Sequence, residues 1–368
     1  MQTDGAGKAV ALVVACLALG VVSACGSTAS DASNDGADAK IAFLMPESQT
    51  LRYESKDRPA FVDKVTQLGS GCEVIYGNAD GDPAKQQQQA EAALINGAKV
   101  LVIDPANSAS AVAIAAQARA RNVPVIAYDR LIDNTPLDYY ISFDNVKVGR
   151  LQGQALADEL RAQGKQGGPI VMLNGDPKTA TARQFKQGAS EVIGAGGVAV
   201  AKDYDTPDWS PSNAQREMDQ AITALGKTGF AGVYAANDDL AGGAVASLKS
   251  AGIDASTRPL TGQDATLAGI QRIVSGEQSM TIYKAVAQEA QAAAELAVTL
   301  AKGGKPDSGT YSHTTFNGAN NVPSLLLEPI AVTRNNVKDT VLKDGYWTVS
   351  DICTANYAQD CAQLGIKL

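Results

Sequence analysis

Residues 100–130 read VLVIDPANSASAVAIAAQARARNVPVIAYDR, and this stretch decides the fold. The apolar run Val100 to Ile103 has the length of a buried strand, Ser108 to Arg121 spaces its alanines and aliphatics as a helix does, and Val123 to Tyr128 is apolar again. Strand, helix and strand in roughly thirty residues make a βαβ unit, whose two strands lie parallel in one sheet.

The same alternation extends in both directions. Lys40 to Met45 reads as a strand, Lys56 to Leu68 as a helix, Val74 to Tyr76 as a strand, and Pro83 to Asn96 as a helix ended by Gly97. The turn from Asn78 through Asp80 and Asp82 to Pro83 caps that helix, and its run Gln86 to Gln89 reads as a solvated face. A further helix, Val146 to Arg161, ends at the glycine-rich Gln163 to Gly168, where a second series begins. It contains strands at Ile170 to Leu173, Val198 to Ala201, Gly232 to Ala235 and Ser279 to Lys284. Its helices are Ala182 to Ile193, Pro211 to Leu225, Ala241 to Ala251, Leu267 to Ser275 and the alanine-rich Val286 to Ala301. The class is therefore α/β, and residues 40 to 368 exceed the usual size of one domain, which favours two doubly wound lobes facing one cleft.

Composition narrows the function. A formal net charge of -8, a pI near 4.8 and the lack of a basic run exclude a nucleic-acid surface. One histidine, His313, lies in a polar stretch and reads as a solvated loop residue, so neither a His-rich metal site nor a histidine-based triad has material to build on. No Gly-x-Gly-x-x-Gly opens the first helix and no phosphate loop is present, so no cofactor and no metal is expected.

The N-terminus has Lys8, then the apolar run Ala9 to Val22, then Val22-Ser23-Ala24-Cys25-Gly26, which reads as a secretory signal peptide over residues 1–24. The order aliphatic, small, small, Cys resembles the lipobox of bacterial lipoproteins, in which the cysteine, here Cys25, receives a diacylglycerol and becomes the mature N-terminus. Residues 25–39, rich in Ser, Asp, Ala, Gly and Asn, read as a flexible tether. The chain is thus expected to be exported and lipid-anchored on the outer face of the cytoplasmic membrane. In that oxidising compartment Cys353 and Cys361 are expected to pair as a disulfide that pins the C-terminal tail, leaving Cys72 as a half-buried apolar residue.

Polar residues recur at strand ends: Asp129 and Arg130, Asp144 and Asn145, Asn237 with Asp238 and Asp239, Asp264, and Lys284. Such a set suits vicinal sugar hydroxyls, because each hydroxyl both donates and accepts and planar side chains bridge two neighbours. Trp209, in the polar turn Asp208-Trp209-Ser210-Pro211, offers a ring on which the C–H face of a sugar can stack.

Several of these segments resemble those of the bacterial D-xylose-binding proteins: residues 128–130, 140–149, 236–244, 262–270 and 280–284, in the same order and spacing. The resemblance runs from about Lys40 to the C-terminus. It implies the class I fold of the sugar-binding proteins of ABC importers, with two doubly wound parallel-sheet lobes joined by a three-crossover hinge. The lobes would comprise residues 40–144 plus about 285–328, and 145–284 plus about 329–368. Such a monomer closes on a monosaccharide, xylose or a related pentose or hexose, delivers it to an ABC permease and hydrolyses nothing itself.

Carried over residue by residue, the resemblance assigns Arg52, Tyr53, Arg130, Asn237, Asp264 and Lys284 to the sugar, and Trp209 to the ring; Asn145 joins them as a strand-end residue. Two positions depart from the pattern. Tyr53 stands where the family has Trp, and Thr181 stands where an Asn contacts the sugar, so one hydroxyl loses a bidentate partner or gains a water. Two other functions remain open at the level of sequence: a receptor that presents its sugar to a membrane sensor, and an exported α/β glycosidase using Asp238 and Asp264 as paired carboxylates.

Overall fold

The computed structural model describes residues 39–68 and 71–367. The signal peptide, Cys25 and all of the tether but its last residue lie outside the described residues. Among the described residues no helix is long and apolar enough to cross a membrane.

The first lobe alternates β1 (Ala39–Met45), α1 (Arg58–Leu68), β2 (Cys72–Asn78), α2 (Pro83–Ile95), β3 (Ala98–Ile103), α3 (Ala111–Ala120), β4 (Val125–Tyr128) and β5 (Tyr139–Phe143). The chain then runs through α4 (Asn145–Ala162), β6 (Ile170–Asn174), α5 (Ala180–Ala195), β7 (Val200–Asp205), α6 (Pro211–Leu225), β8 (Gly232–Ala235), α7 (Asp238–Ser250), α8 (Leu267–Ser275) and β9 (Met280–Tyr283). It continues as α9 (Val286–Ala301), β10 (His313–Phe316), β11 (Asn321–Leu327), β12 (Ile330–Thr333), α10 (Val349–Ile352) and α11 (Ala358–Gln363).

One seven-stranded sheet has the order β10-β11-β5-β4-β3-β1-β2, parallel except at the edge strand β10. Its central strands β1, β3, β4 and β5 read as largely apolar runs because helices cover both faces. The second sheet is built on β7-β6-β8. Residues 259–264 extend it: Val233 N–H donates to Pro259 O on one side, while Ile282 N–H donates to Gly262 O and Asp264 N–H to Ile282 O on the other. That segment joins β8 to the antiparallel pair β9 and β12. The chain passes between the two sheets at residues 143–145, 283–286 and 327–330, which are the three crossovers.

Four readings need correction. Gln86 is buried: its amide donates to Asp104 O at 2.7 Å and accepts from Ala106 N–H at 2.9 Å, while Gln89 donates to Asn78 O. The glutamine run therefore ties α2 to the ends of β1 to β3, a long-range satisfaction of backbone that helical spacing does not reveal. His313 lies in the edge strand β10, exposed but not in a loop. α3 begins at Ala111 and leaves Ser108 in the preceding loop. The helix read from Lys56 opens with a π-turn, Tyr53–Asp57, ahead of α1. The cap at Asp82 is as expected, accepting from Ala84 and Lys85 N–H, and Cys353 is bonded to Cys361 with Cys72 free and half-buried.

Candidate functional site

The carboxyl ends of β1 and β4 and of the second sheet converge between the lobes. Arg52 caps the π-turn after β1, a wide single turn of a kind frequent at functional sites. Its guanidinium reaches Asp57 at 2.6 Å and Asp129 at 2.8 Å in its own lobe, and Asp264 of the other lobe at 3.3 Å. Lys284, at a crossover, stands 3.2 Å from the same Asp264 oxygen and 3.6 Å from Asp129. Arg130 pairs with Glu47 at 3.0 Å and Asp104 at 3.5 Å. Tyr53 donates its hydroxyl to Asp129 at 2.8 Å.

All these groups are buried, and the carboxyls of Glu47, Asp57, Asp104, Asp129, Asp264 and Glu289 outnumber the three cations. Burial pushes Asp104 and Glu289 well above the usual carboxylate range, which lowers the net buried charge. Burial also opposes ionisation of Asp129, but Arg52, Lys284 and Arg130 outweigh it and hold that carboxyl below its ordinary range. Burial likewise works against the Arg52 cation, and Asp129, Asp57 and Asp264 prevail.

Backbone strain concentrates here. Asp129 (φ 53), Asp208 (φ 57), Trp209 (φ 53), Asp264 (φ 87) and Ala265 (φ 48) are left-handed although none is glycine. Three of them are held from outside: Tyr140 and Ser142 hydroxyls donate to Asp129 O, Thr281 Oγ1 accepts from Ala265 N–H, and Asp176 accepts from Asp208 N–H. The Trp209 ring lies over Gly175, where a Cβ would collide with Cη2, and it meets Phe185 edge-on at 6.4 Å.

An inner cavity of about 20 Å³ is lined by Thr50, Arg52, Tyr53, Asp129, Arg130, Thr181, Phe185, Trp209, Asn237, Gln263, Asp264 and Lys284. It adjoins a polar outer groove of about 570 Å³, and Arg130 and Trp209 line both. The two chambers are the floor and the mouth of one cleft.

A periplasmic binding protein domain model matches residues 41–305. The chain belongs to the periplasmic binding protein family. Among its relatives, the D-xylose-binding periplasmic protein of Escherichia coli is 38% identical over 319 residues, covering 86% of this chain and 93% of the relative. The protein of the same description from Haemophilus influenzae is 36% identical over 329 residues, covering 88% and 95%. A carbohydrate-transporter solute-binding protein from Chloroflexus aurantiacus, solved with D-glucose, superposes with a TM-score of 0.76 at 29% identity, covering 84% of this chain and 97% of that one.

In this periplasmic binding protein the cleft brings together Arg52, Tyr53, Arg130, Thr181, Trp209, Asn237, Asp264 and Lys284. It does not bring Asn145 with them. That side chain donates to Tyr140, Ser142 and Gln184 and lines a separate groove beside β10. Asp238 is absent from the lining as well: its carboxylate accepts from Gln278 at 2.7 Å and from Thr266 N–H at 2.8 Å. Added Cβ atoms at Gly262 and Gly269 would collide with it, so Asp238 is a packed structural group and no partner for Asp264 in glycoside cleavage. The protein is a solute-binding protein and not an enzyme. The residue-by-residue assignment omitted Asp129, Gln263, Thr50 and Phe185, all of which line the cavity, although Asp129 stood in the strand-end set read as suited to a sugar. Only Asp129 had a signal, its place at the end of β4.

Proposed function

We propose that this periplasmic binding protein captures a monosaccharide between its lobes, D-xylose first and a related pentose or hexose next, and delivers it to an ABC permease. The observation that carries the reading is the convergence of Arg52, Asp129, Arg130, Asn237, Asp264 and Lys284 beside the Trp209 ring. A sugar hydroxyl placed between Arg52 Nε and Asp264 Oδ1 accepts from the first and donates to the second, so the pairs that link the lobes become pairs that link each lobe to the sugar. The relatives named D-xylose-binding make that pentose the first candidate, and Tyr53 and Thr181 keep its congeners open.

The lobes, residues 40–144 plus 285–328 and 145–284 plus 329–368, would hinge at the three crossovers as a monomer. Export and lipidation at Cys25 would keep the cleft near its permease at a high effective concentration set by the length of the tether. Calorimetry of protein lacking residues 1–25 against a panel of pentoses and hexoses should show one site with Kd below about ten micromolar, or roughly 7 kcal/mol. A panel giving neither heat nor thermal shift would sink the reading.

A further inference from the structure

Ser108 lies in the loop ahead of α3 in the first lobe and is fully buried, yet both of its polar bonds go to the second lobe. Its N–H donates to Lys178 O at 3.1 Å, and its Oγ accepts from Ala180 N–H at 3.0 Å. Ala180 is the first residue of α5, and the side chain of Thr179, its N-cap, accepts from Ala182 N–H and leaves Ala180 N–H to another partner. The first backbone N–H of α5 would otherwise be an orphan of the helix end. It is satisfied by a residue 72 positions away on the opposite side of the cleft.

Three further observations converge on the same contact. Asn107 accepts from Ala109 and Ser110 N–H, which holds the Ser108 loop in shape. Asp176 accepts from Lys178 N–H and from Asp208 N–H, which presents Lys178 O and sets the Trp209 turn at once. The Ala180 methyl is packed in the hydrophobic cluster of the first lobe with Ala111, Ile114 and Ala115, although α5 belongs to the second. The next residue along α5 is Thr181, which lines the inner cavity.

We propose that Ser108 is a positioning residue that caps α5 across the cleft and, with the Ala180 methyl, latches the lobes around the ligand, thereby setting how long the sugar is retained. Parting the lobes breaks both hydrogen bonds together, uncovers Ala180 and returns Ser108 and the α5 N-terminus to water, so the latch acts in the closed form alone. The Arg183–Asp133 ion pair spans the same gap, but Arg183 is exposed there, and such a pair contributes little.

The proposal rests on the sugar-binding reading above, and its test separates the two. Stopped-flow binding of wild type and Ser108→Ala to the tightest sugar of the panel should show release roughly fivefold to tenfold faster in the variant, the worth of one buried hydrogen bond. Association and the melting temperature without sugar should be unchanged, because the open form lacks the bond. A second variant, Ala180→Leu, should wedge the lobes apart and weaken binding more than about tenfold, again with the sugar-free melting temperature retained. Unchanged release in Ser108→Ala, or a drop in its sugar-free stability with release unaltered, would overturn the latch and leave Ser108 a packing residue. Wild type that binds no sugar would instead defeat the reading of the cleft.

Discussion

Arg52 Nε and Asp264 Oδ1 come from opposite lobes and meet at 3.3 Å on the cleft floor, with Lys284 Nζ 3.2 Å from the same oxygen. Asp264 holds this place on left-handed backbone (φ 87), braced by the C-terminal tail: Trp347 Nε1 donates to Ala265 O at 2.7 Å and the Tyr346 hydroxyl to Asp264 O at 3.4 Å. The Asp264 carboxylate thus faces two buried cations while the backbone that carries it is tied to the tail.

Removing that carboxylate takes from both cations one of the two carboxylates they share and leaves Asp129 alone between them. Asp264→Ala should weaken sugar binding by roughly 2–4 kcal/mol, and Arg130→Ala, which strands Glu47 and Asp104, by a similar amount. Calorimetry on both variants measures it; normal binding in both would place the sugar elsewhere.

Gly175 is needed for the Trp209 ring to lie where it does. Gly175→Ala should displace the indole, shift its fluorescence and weaken sugar binding about tenfold, because stacking on the ring is lost while the polar floor stays intact. A shifted spectrum with unchanged affinity would remove Trp209 from the site.

Stability should fall on both sides of a maximum in pH. Burial, then the neighbouring Asp238 and Asp264, push Asp239 up to about 7. The folded state therefore holds a proton that the unfolded chain gives up near pH 4, and the stability it contributes is lost as pH rises through about 7. Asp129 has the opposite sign: its depressed value contributes stability above about pH 4 that is lost as pH falls. Asp239→Asn should flatten the fall of unfolding free energy between about pH 4 and pH 7 by an amount on the order of a few kcal/mol, measured by denaturant melts, and leave the acid limb alone.

Breaking the Cys353–Cys361 bond frees an eight-residue span next to the Tyr346–Trp347 brace. Replacing both cysteines by Ser should cost about 2–3 kcal/mol of stability. Sugar affinity should fall with it, through the loosened Asp264 backbone, as thermal melts and calorimetry on the double variant would show.

Cys25→Ser should move the exported protein from the detergent phase to the aqueous phase on phase partitioning without altering sugar affinity, since lipid rather than the folded lobes would hold it to the membrane. Equal partitioning of both forms would exclude the anchor.

Much of the fold was legible because its signals are local. Apolar runs of strand length alternate with helical spacing from β1 to α9, and the cap at Asp82 is readable within three residues of the helix it starts. Arg130, Asn237, Asp264 and Lys284 were readable as cleft-lining residues because strand ends converge in a doubly wound sheet. Gln86, Asp238 and Asn145 were misread for one reason: a polar side chain at a strand end or on a helix looks the same whether it faces a ligand or satisfies distant backbone. The choice depends on partners such as Asp104 O, Gln278 and Gln184, which lie far away in sequence.

The amino-acid order by itself determined the α/β class, the two-lobed series, the pairing of Cys353 with Cys361 and the strand-end members of the cleft, because hydrophobic periodicity and strand-end chemistry act over a few residues; Arg52, Tyr53 and Thr181 were assigned through the family resemblance. Only the tertiary structure decided the rest. It brought Arg52 to Asp264 and Ser108 to Ala180 across the cleft, placed Asp129 between Arg52 and Lys284, and withdrew Asn145 and Asp238 into structural bonds. Those outcomes depend on how distant segments pack and how two lobes close on each other, and short-range pattern carries no record of contacts made between residues tens to hundreds of positions apart.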